Sequence, residues 1–213
     1  EDRGKDYEAR IALCDSAYAQ AKDPDEAATA LGYKAEAQRM LGRLDEAALT
    51  LRAALRLAPQ NPWYWVELGH VRFDGGDPAG AVAHYSAAVE LDPQDIYARL
   101  NRAEGWWQLN APDRCLADSG QAVEASPDDP WANLVQGRCL TGLGRAEEAL
   151  AHLDRALAAD PARAAAHMAR VSALLALGRA EEALAAADEG LVALLPDDMS
   201  GREGLRVLRL QAM

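Results

Sequence analysis

The chain has 213 residues and a formal charge of −12, which argues against a nucleic-acid binder, because such proteins need Lys and Arg to displace phosphate counterions. Half of its residues are apolar, yet no stretch reaches the roughly 20 uninterrupted apolar residues of a membrane span. Alanine and leucine dominate the apolar half and β-branched residues are sparse, a mixture that predicts an all-α fold.

In chain order, the first predicted element is a helical run from about 6 to 22, with Ile11, Cys14, Ala17 and Tyr18 on its apolar stripe. It reads as a lone helix covering the helices downstream, so residues 1–27 form an N-terminal cap. Beyond it the sequence repeats. Small residues stand at Ala47, Ala81, Cys115, Ala149 and Ala183, each 34 positions after the last. A second column holds Ala54, Ala88, Ala122, Ala156 and Gly190, and a third holds Pro59, Pro93, Pro127 and Pro161, with Leu195 followed by Pro196 in the last unit. Small residues seven apart share one stripe of a helix and let a neighbouring helix approach, and the proline ends that helix. Each unit also has an internal breaker: Gly42, Gly75-Gly76, Asn110-Ala111-Pro112, Gly144 and Gly178. The pattern predicts five helical hairpins, 28–61, 62–95, 96–129, 130–163 and 164–197, in a single domain of residues 1–213. The last element, 198–213, reads as a capping helix opened by the capping box Ser200-x-x-Glu203. Its apolar residues are Leu205, Leu208 and Leu210, and Arg202, Arg206 and Arg209 are expected to give it the soluble outer face of a terminal repeat.

The second hairpin reads Trp65-x-x-Leu68-Gly69, then Ala81, Tyr85, Ala88 and Pro93. This resembles the tetratricopeptide repeat (TPR) family, whose signature is Trp, Leu-Gly, Ala, an aromatic, Ala and Pro at this spacing. Some positions depart from it: Arg72 stands where a Tyr is usual, Arg99 and Asn133 replace the Trp, and Ser119 and Ala187 replace the aromatic of the second helix. The resemblance implies a right-handed superhelical solenoid of helix-turn-helix repeats, five units long with a capping helix at each end.

It also implies where a partner would bind. In this family the inner wall is built by the first helices, mainly from repeat positions 2, 5, 9, 12 and 13, with position 6 contributing. Carried over, position 2 is Thr29, Trp63, Tyr97, Trp131 and Ala165; position 5 is Gly32, Val66, Leu100, Leu134 and Met168; position 12 is Arg39, Phe73, Trp107, Thr141 and Leu175. The polar members are Glu36, His70, Asp74, Asn101, Glu104, Gln108 and Arg138. The candidate groove is therefore Trp63, Val66, His70, Phe73, Tyr97, Leu100, Asn101, Glu104, Trp107, Trp131, Leu134 and Arg138. An aromatic stripe at helical spacing is usually core, but Trp65, Leu68, Trp106 and Leu140 already fill the core columns, so Trp63, Trp107 and Trp131 are read as groove. Asn101 occupies the position where some peptide-binding members hold a ligand backbone. The basic clamp of members that seize an acidic C-terminus is missing, since its columns read Gly32, Glu36, Glu67 and Glu104.

Chemistry is sparse. His70, His84, His152 and His167 have no metal-ligand spacing, and His84 and His152, at one position of two second helices, are expected to face solvent. No phosphate loop and no perturbed acid–base pair is visible, so no catalysis, metal or cofactor is expected. Cys115 and Cys139 fall close enough in the repeat to pair in an oxidising compartment, though buried cysteines in helical stacks commonly stay free. The start at Glu1 without methionine favours a removed leader, hence a periplasmic or secreted chain, over a cytoplasmic one. The function expected is a non-catalytic scaffold holding a peptide or helix of a protein partner in an aromatic, apolar groove. The alternative is a structural or self-associating role for the same surface.

Overall fold

The turns between paired helices decide where the repeat folds. A computed structural model describes residues 2–195 and 197–213, apart from the side chains of Asp2 and Arg3, so Pro196 lies outside the described residues. Among these the chain forms twelve α-helices and no strand: α1 (Asp2–Gln20), α2 (Pro24–Met40), α3 (Leu44–Leu57), α4 (Pro62–Asp74), α5 (Pro78–Leu91), α6 (Ile96–Gln108), α7 (Pro112–Ala125), α8 (Pro130–Gly142), α9 (Ala146–Ala159), α10 (Ala164–Ala176), α11 (Ala180–Ala193) and α12 (Met199–Ala212). In each of the five turns one residue adopts positive φ: Gly42, Gly76, Asn110, Gly144 and Gly178, at 75°, 75°, 54°, 73° and 71°. The next N–H bonds back five residues, from Arg43 to Gln38 O, Asp77 to Arg72 O, Ala111 to Trp106 O, Arg145 to Leu140 O and Arg179 to Leu174 O, over 2.9–3.0 Å. This is the Schellman closure, and it needs a left-handed residue. The breakers thus end first helices by one device used five times.

Starts are local too. Asn61, Asp95, Asp129 and Asp198 accept from N–H groups of the helices they precede, over 2.7–3.1 Å, satisfying donors that a helix start leaves free. The cap of α12 is therefore Asp198, and the expected capping box at Ser200 and Glu203 is not what opens it. The first repeat helix also starts early, at Pro24, with Asp23 accepting from Glu26 N at 2.8 Å.

The chain divides into two compact units, Glu1–Gly105 and Trp106–Met213. In the first, Ala28, Ala35, Ala47, Leu51, Ala54, Tyr64, Leu68 and Val71 pack between α2, α3 and α4, with Trp63 and Trp65 half-buried against them. The residue that fills this core is Tyr64, 1% exposed, between the two tryptophans that stand out in the sequence. A Cβ on Gly69 would stand 2.2 Å from the Tyr85 ring, so the Leu-Gly pair lets a buried tyrosine lie on the α4 backbone. In the second unit, one cluster joins Leu134, Leu140, Ala149, Leu153, Ala156 and Ala166, and another joins α10 and α11 to Leu205 of α12. The first small-residue column is fully buried from Ala47 to Ala183 and the second from Ala54 to Ala156, while Gly190 is closed in by Leu205 and His167.

The departures from the tryptophan position acquire a common account. Trp65 Nε1, Arg99 Nη2, Asn133 Nδ2 and His167 Nε2 each lie against the carbonyl of the proline six residues earlier: Pro59 at 3.5 Å, Pro93 at 2.8 Å, Pro127 at 2.7 Å and Pro161 at 2.9 Å. Four side chains of different shape bring nitrogen to the same carbonyl. His84 and His152 face this column and not open solvent, contrary to expectation. The His84 ring lies 5.8 Å from that of Trp65, and His152 Nδ1 is 3.0 Å from Asn133 Oδ1. Burial lowers the pKa of both.

The terminal cap also departs from expectation. Arg202 donates to Leu191 O at 2.8 Å and Arg209 pairs with Asp188 at 2.7 Å, so two of the three arginines are engaged by α11. The outward side of α12 carries Met199, Val207, Leu210 and Met213, all exposed. Arg206 and Glu203, 3.6 Å apart, lie exposed on the same side.

Candidate functional site

The first-helix residues of the first unit form a polar chain more than an aromatic wall. Arg10 of α1 bonds Glu36 of α2 at 2.8 Å. Arg39, one turn on, reaches Asp74 at 2.7 Å and lies 3.6 Å from Glu67 on α4. His70 sets Nδ1 3.2 Å from Glu67 Oε1 and Nε2 3.1 Å from Asn101 Oδ1, and its ring stands edge-on to Tyr85. Asn101 in turn donates Nδ2 to Tyr97 O at 2.9 Å. Position 6 of one helix thus meets position 9 of the helix before it, the spacing that carries side chains across adjacent parallel helices. Arg39 Nε and Glu67 Oε2 are buried without a hydrogen bond, and their mutual attraction offsets part of the lost hydration.

Of the expected groove residues here, Trp63 is half-buried over Gly32, where a Cβ would stand 2.3 Å from the indole, and its ring centroid is 5.0 Å from Tyr33. Val66 packs on the cluster of Ala88, Val89 and Ala98. Phe73, at the end of α4, and Glu104 are half-buried, and Tyr97 is exposed. Leu100 is fully buried, so its place is in the packing beneath this face. The amide of Asn101, expected to meet a ligand, is engaged by His70 and by its own helix.

The second unit is different. Arg138 of α8 lies over Trp107, the guanidinium carbon 3.6 Å from the ring centroid. These two form one wall of a cleft of about 430 Å³ that continues over Thr141, Ala165, Met168, Ser172 and Leu208. Thr141 and Ser172 donate their hydroxyls to Gly137 O and Met168 O, both at 2.9 Å, so each oxygen keeps only its acceptor capacity. Among the described residues, Arg138 is the one charged side chain lining it. Leu134 is buried in the core, and Trp131, half-buried at the start of α8, does not line the cleft. Met168, Thr141 and Ala165 stand in the groove columns of the repeat, but their modest side chains carry less weight in a sequence than tryptophans do. Leu208 lies on the cap, outside the 34-residue register, where no column could point to it.

In the same unit, Cys115 of α7 and Cys139 of α8 are joined by a disulfide with Cα atoms 5.6 Å apart, and in the first unit Cys14 is free. Among the described residues no three His, Cys, Asp or Glu side chains gather as a metal site requires, and no helix is long and apolar enough to cross a membrane.

Paired helices in a 34-residue register, closed by repeated Schellman turns and stacked on small-residue columns, define a helical-hairpin repeat protein. Sequence profiles described as tetratricopeptide repeat match residues 29–71, 66–130 and 116–170. The chain belongs to the tetratricopeptide repeat family, whose members are protein-interaction scaffolds. Solved structures of similar fold include a thermophilic TPR protein of Thermus thermophilus, 22% identical with a TM-score of 0.72 over 86% of this chain and 99% of that one. A TPR protein of Parabacteroides merdae is 17% identical, with a TM-score of 0.73 over 98% and 86%. YrrB, described as a TPR protein with an unusual peptide-binding site, is 21% identical, with a TM-score of 0.63 over 84% and 92%. Comparison of the sequence with curated proteins finds no match.

Proposed function

We propose that the chain is a non-catalytic scaffold that holds a peptide segment or helix of a protein partner against its first helices. The cleft of the second unit is the anchor point. What carries this reading is the cleft's composition: an indole, a thioether and two aliphatic surfaces around one guanidinium and two hydroxyl oxygens. An apolar side chain fills such a space, and Arg138 and the hydroxyls orient the backbone or polar group beside it, the usual division of labour in a binding pocket. Indole anchors concentrate interface energy at small entropic cost. YrrB, of similar fold, is described as having a peptide-binding site, which agrees with this use of the repeat. Taken by itself, the first unit offers a partner Trp63, Tyr97 and the edge of the His70–Asn101 pair.

The test uses peptides selected from a random display library on the intact chain. Trp107→Ala should weaken the selected peptides by at least tenfold, the scale of an interface hot spot of about 1.4 kcal/mol or more, with helicity unchanged. Met168→Glu should do the same. Peptides that bind both variants as well as the parent, or a library that yields no binder, would reject the cleft as the anchor.

A further inference from the structure

We infer that the side chain the second-unit cleft receives from its partner is a tryptophan, held by its ring and by donation of its indole N–H to the hydroxyl oxygen of Thr141 or Ser172. This rests on the cleft being the anchor point, and adds the residue type that anchors there.

Size and lining point to a ring. The cleft holds about 430 Å³, in the lower part of the range of ligand pockets, so it takes one large side chain and not a whole helix. Along α10 it is lined by Ala165, Ala169 and Ser172, spaced by four and three residues and therefore on one face of that helix. Such a strip of small side chains lets a flat ring lie against it over its whole face. Longer side chains come from the flanking helices, Trp107 from α6 and Leu208 from α12. Met168 brings a thioether, whose sulfur makes favourable contact with aromatic rings.

Polarity then selects among the rings. The hydroxyls of Thr141 and Ser172 have each given their one proton to a carbonyl of their own helix, Gly137 O and Met168 O. Both can now only accept. Whatever covers them must bring a donor, because an acceptor shut off from water without one carries a desolvation penalty. Leucine, methionine and phenylalanine bring none. Tyrosine brings a donor together with acceptor lone pairs, for which neither hydroxyl has a proton left. Lysine brings a cation into a cleft that Arg138 also lines. Tryptophan is the large apolar side chain whose polar atom only donates, and buried indole N–H groups find an acceptor as a rule.

The probes are peptides selected from a random display library on the intact chain, then synthesised with a fluorescent label for anisotropy titration. Tryptophan should occupy one fixed position in the selected sequences. Benzothienylalanine at that position keeps the ring's shape and puts sulfur in place of the N–H. It should weaken binding about tenfold, the scale of one hydrogen bond to an acceptor left unsatisfied. Tyrosine or leucine there should lose at least as much. On the Thr141→Val/Ser172→Ala double variant, with parental circular dichroism, the tryptophan and benzothienylalanine peptides should bind equally, which is the signature of coupled partners. Selected peptides that need Trp107 and Met168 but carry another residue at the anchor position leave the cleft as anchor and overturn the tryptophan assignment. So does a sulfur analogue that binds the parent as tightly as tryptophan, or a tenfold difference that persists in the double variant. A library without binders rejects the anchor point and the tryptophan with it.

Discussion

Asn133 is fully buried, a poor exchange for tryptophan by volume, yet it keeps the bond to Pro127 O and adds one to Asp129 O at 2.9 Å. The family pattern names the residue type most often found at this position, and the physical requirement beneath it is a nitrogen donor at the end of a second helix. Replacing Asn133 by Leu should therefore cost about 1–3 kcal/mol, because it strands buried acceptors. Asn133→His, which His167 shows can reach the same carbonyl, should cost less, and urea unfolding of the two variants compares them. The facing histidines yield a pH effect. His84 and His152 are held below the ordinary value of 6.5, first by burial, so the folded chain prefers them neutral. Below that pH the unfolded chain takes up protons that the folded one resists. Stability is then complete above the unfolded pKa and falls with acidification until the folded pKa values are passed. Thermal melts at about pH 7.5 and 5.5, either side of the unperturbed histidine value, should show a loss that shrinks in the His84→Gln/His152→Gln double variant.

At the scale of helices and turns, much could be read directly because one turn geometry recurs. A residue with positive φ every 34 positions leaves glycine, or asparagine at Asn110, as a visible mark, and the proline and small-residue columns have equally local causes. Gly144→Ala should destabilise by about 1 kcal/mol, since it forces a Cβ into the left-handed region. Asn110→Gly should be neutral or stabilising by a few tenths of a kcal/mol, for glycine meets that conformation without steric cost. Denaturant midpoints check the pair, and a Gly144→Ala chain as stable as the parent would contradict the Schellman assignment. The last helix is less legible. Its sequence has apolar residues on two opposite stripes, Leu205 with Leu208 on one and Val207 with Leu210 on the other, and periodicity alone does not say which is buried. The choice rests on Gly201 and Gly204, where a Cβ would stand 2.4 Å from Ala164 and from Met168. Those close approaches belong to the packing of α10 and have no signature within α12. The candidate wall is half legible for a related reason. Aromatic residues announce themselves, but whether Trp63 faces a ligand depends on Gly32 beneath it, and Leu208 reaches the cleft from outside the register.

For the molecule as a whole, repeat packing makes stability largely a sum of local terms, each helix touching only its near neighbours. The disulfide gives a way to observe that locality, because it joins α7 to α8 across a sequence separation of 24 and lies wholly in the second unit. Cross-linking a loop of this length removes unfolded-state entropy equivalent to roughly 3 kcal/mol. Both sulfurs belong to fully buried residues, so a reductant acts on them only when the surrounding helices open. Reduction should therefore be slow under native conditions and fast once denaturant is added. Unfolded without reductant, the chain should expose one thiol, Cys14, and three after reduction. Hydrogen exchange of the reduced, refolded chain should then show faster exchange across α7 and α8, while α2–α5 in the first unit exchange as before. Equal loss of protection in both regions would mean that stability is not shared out locally. Three thiols without reductant would mean that Cys115 and Cys139 contribute only their volume to the column they occupy.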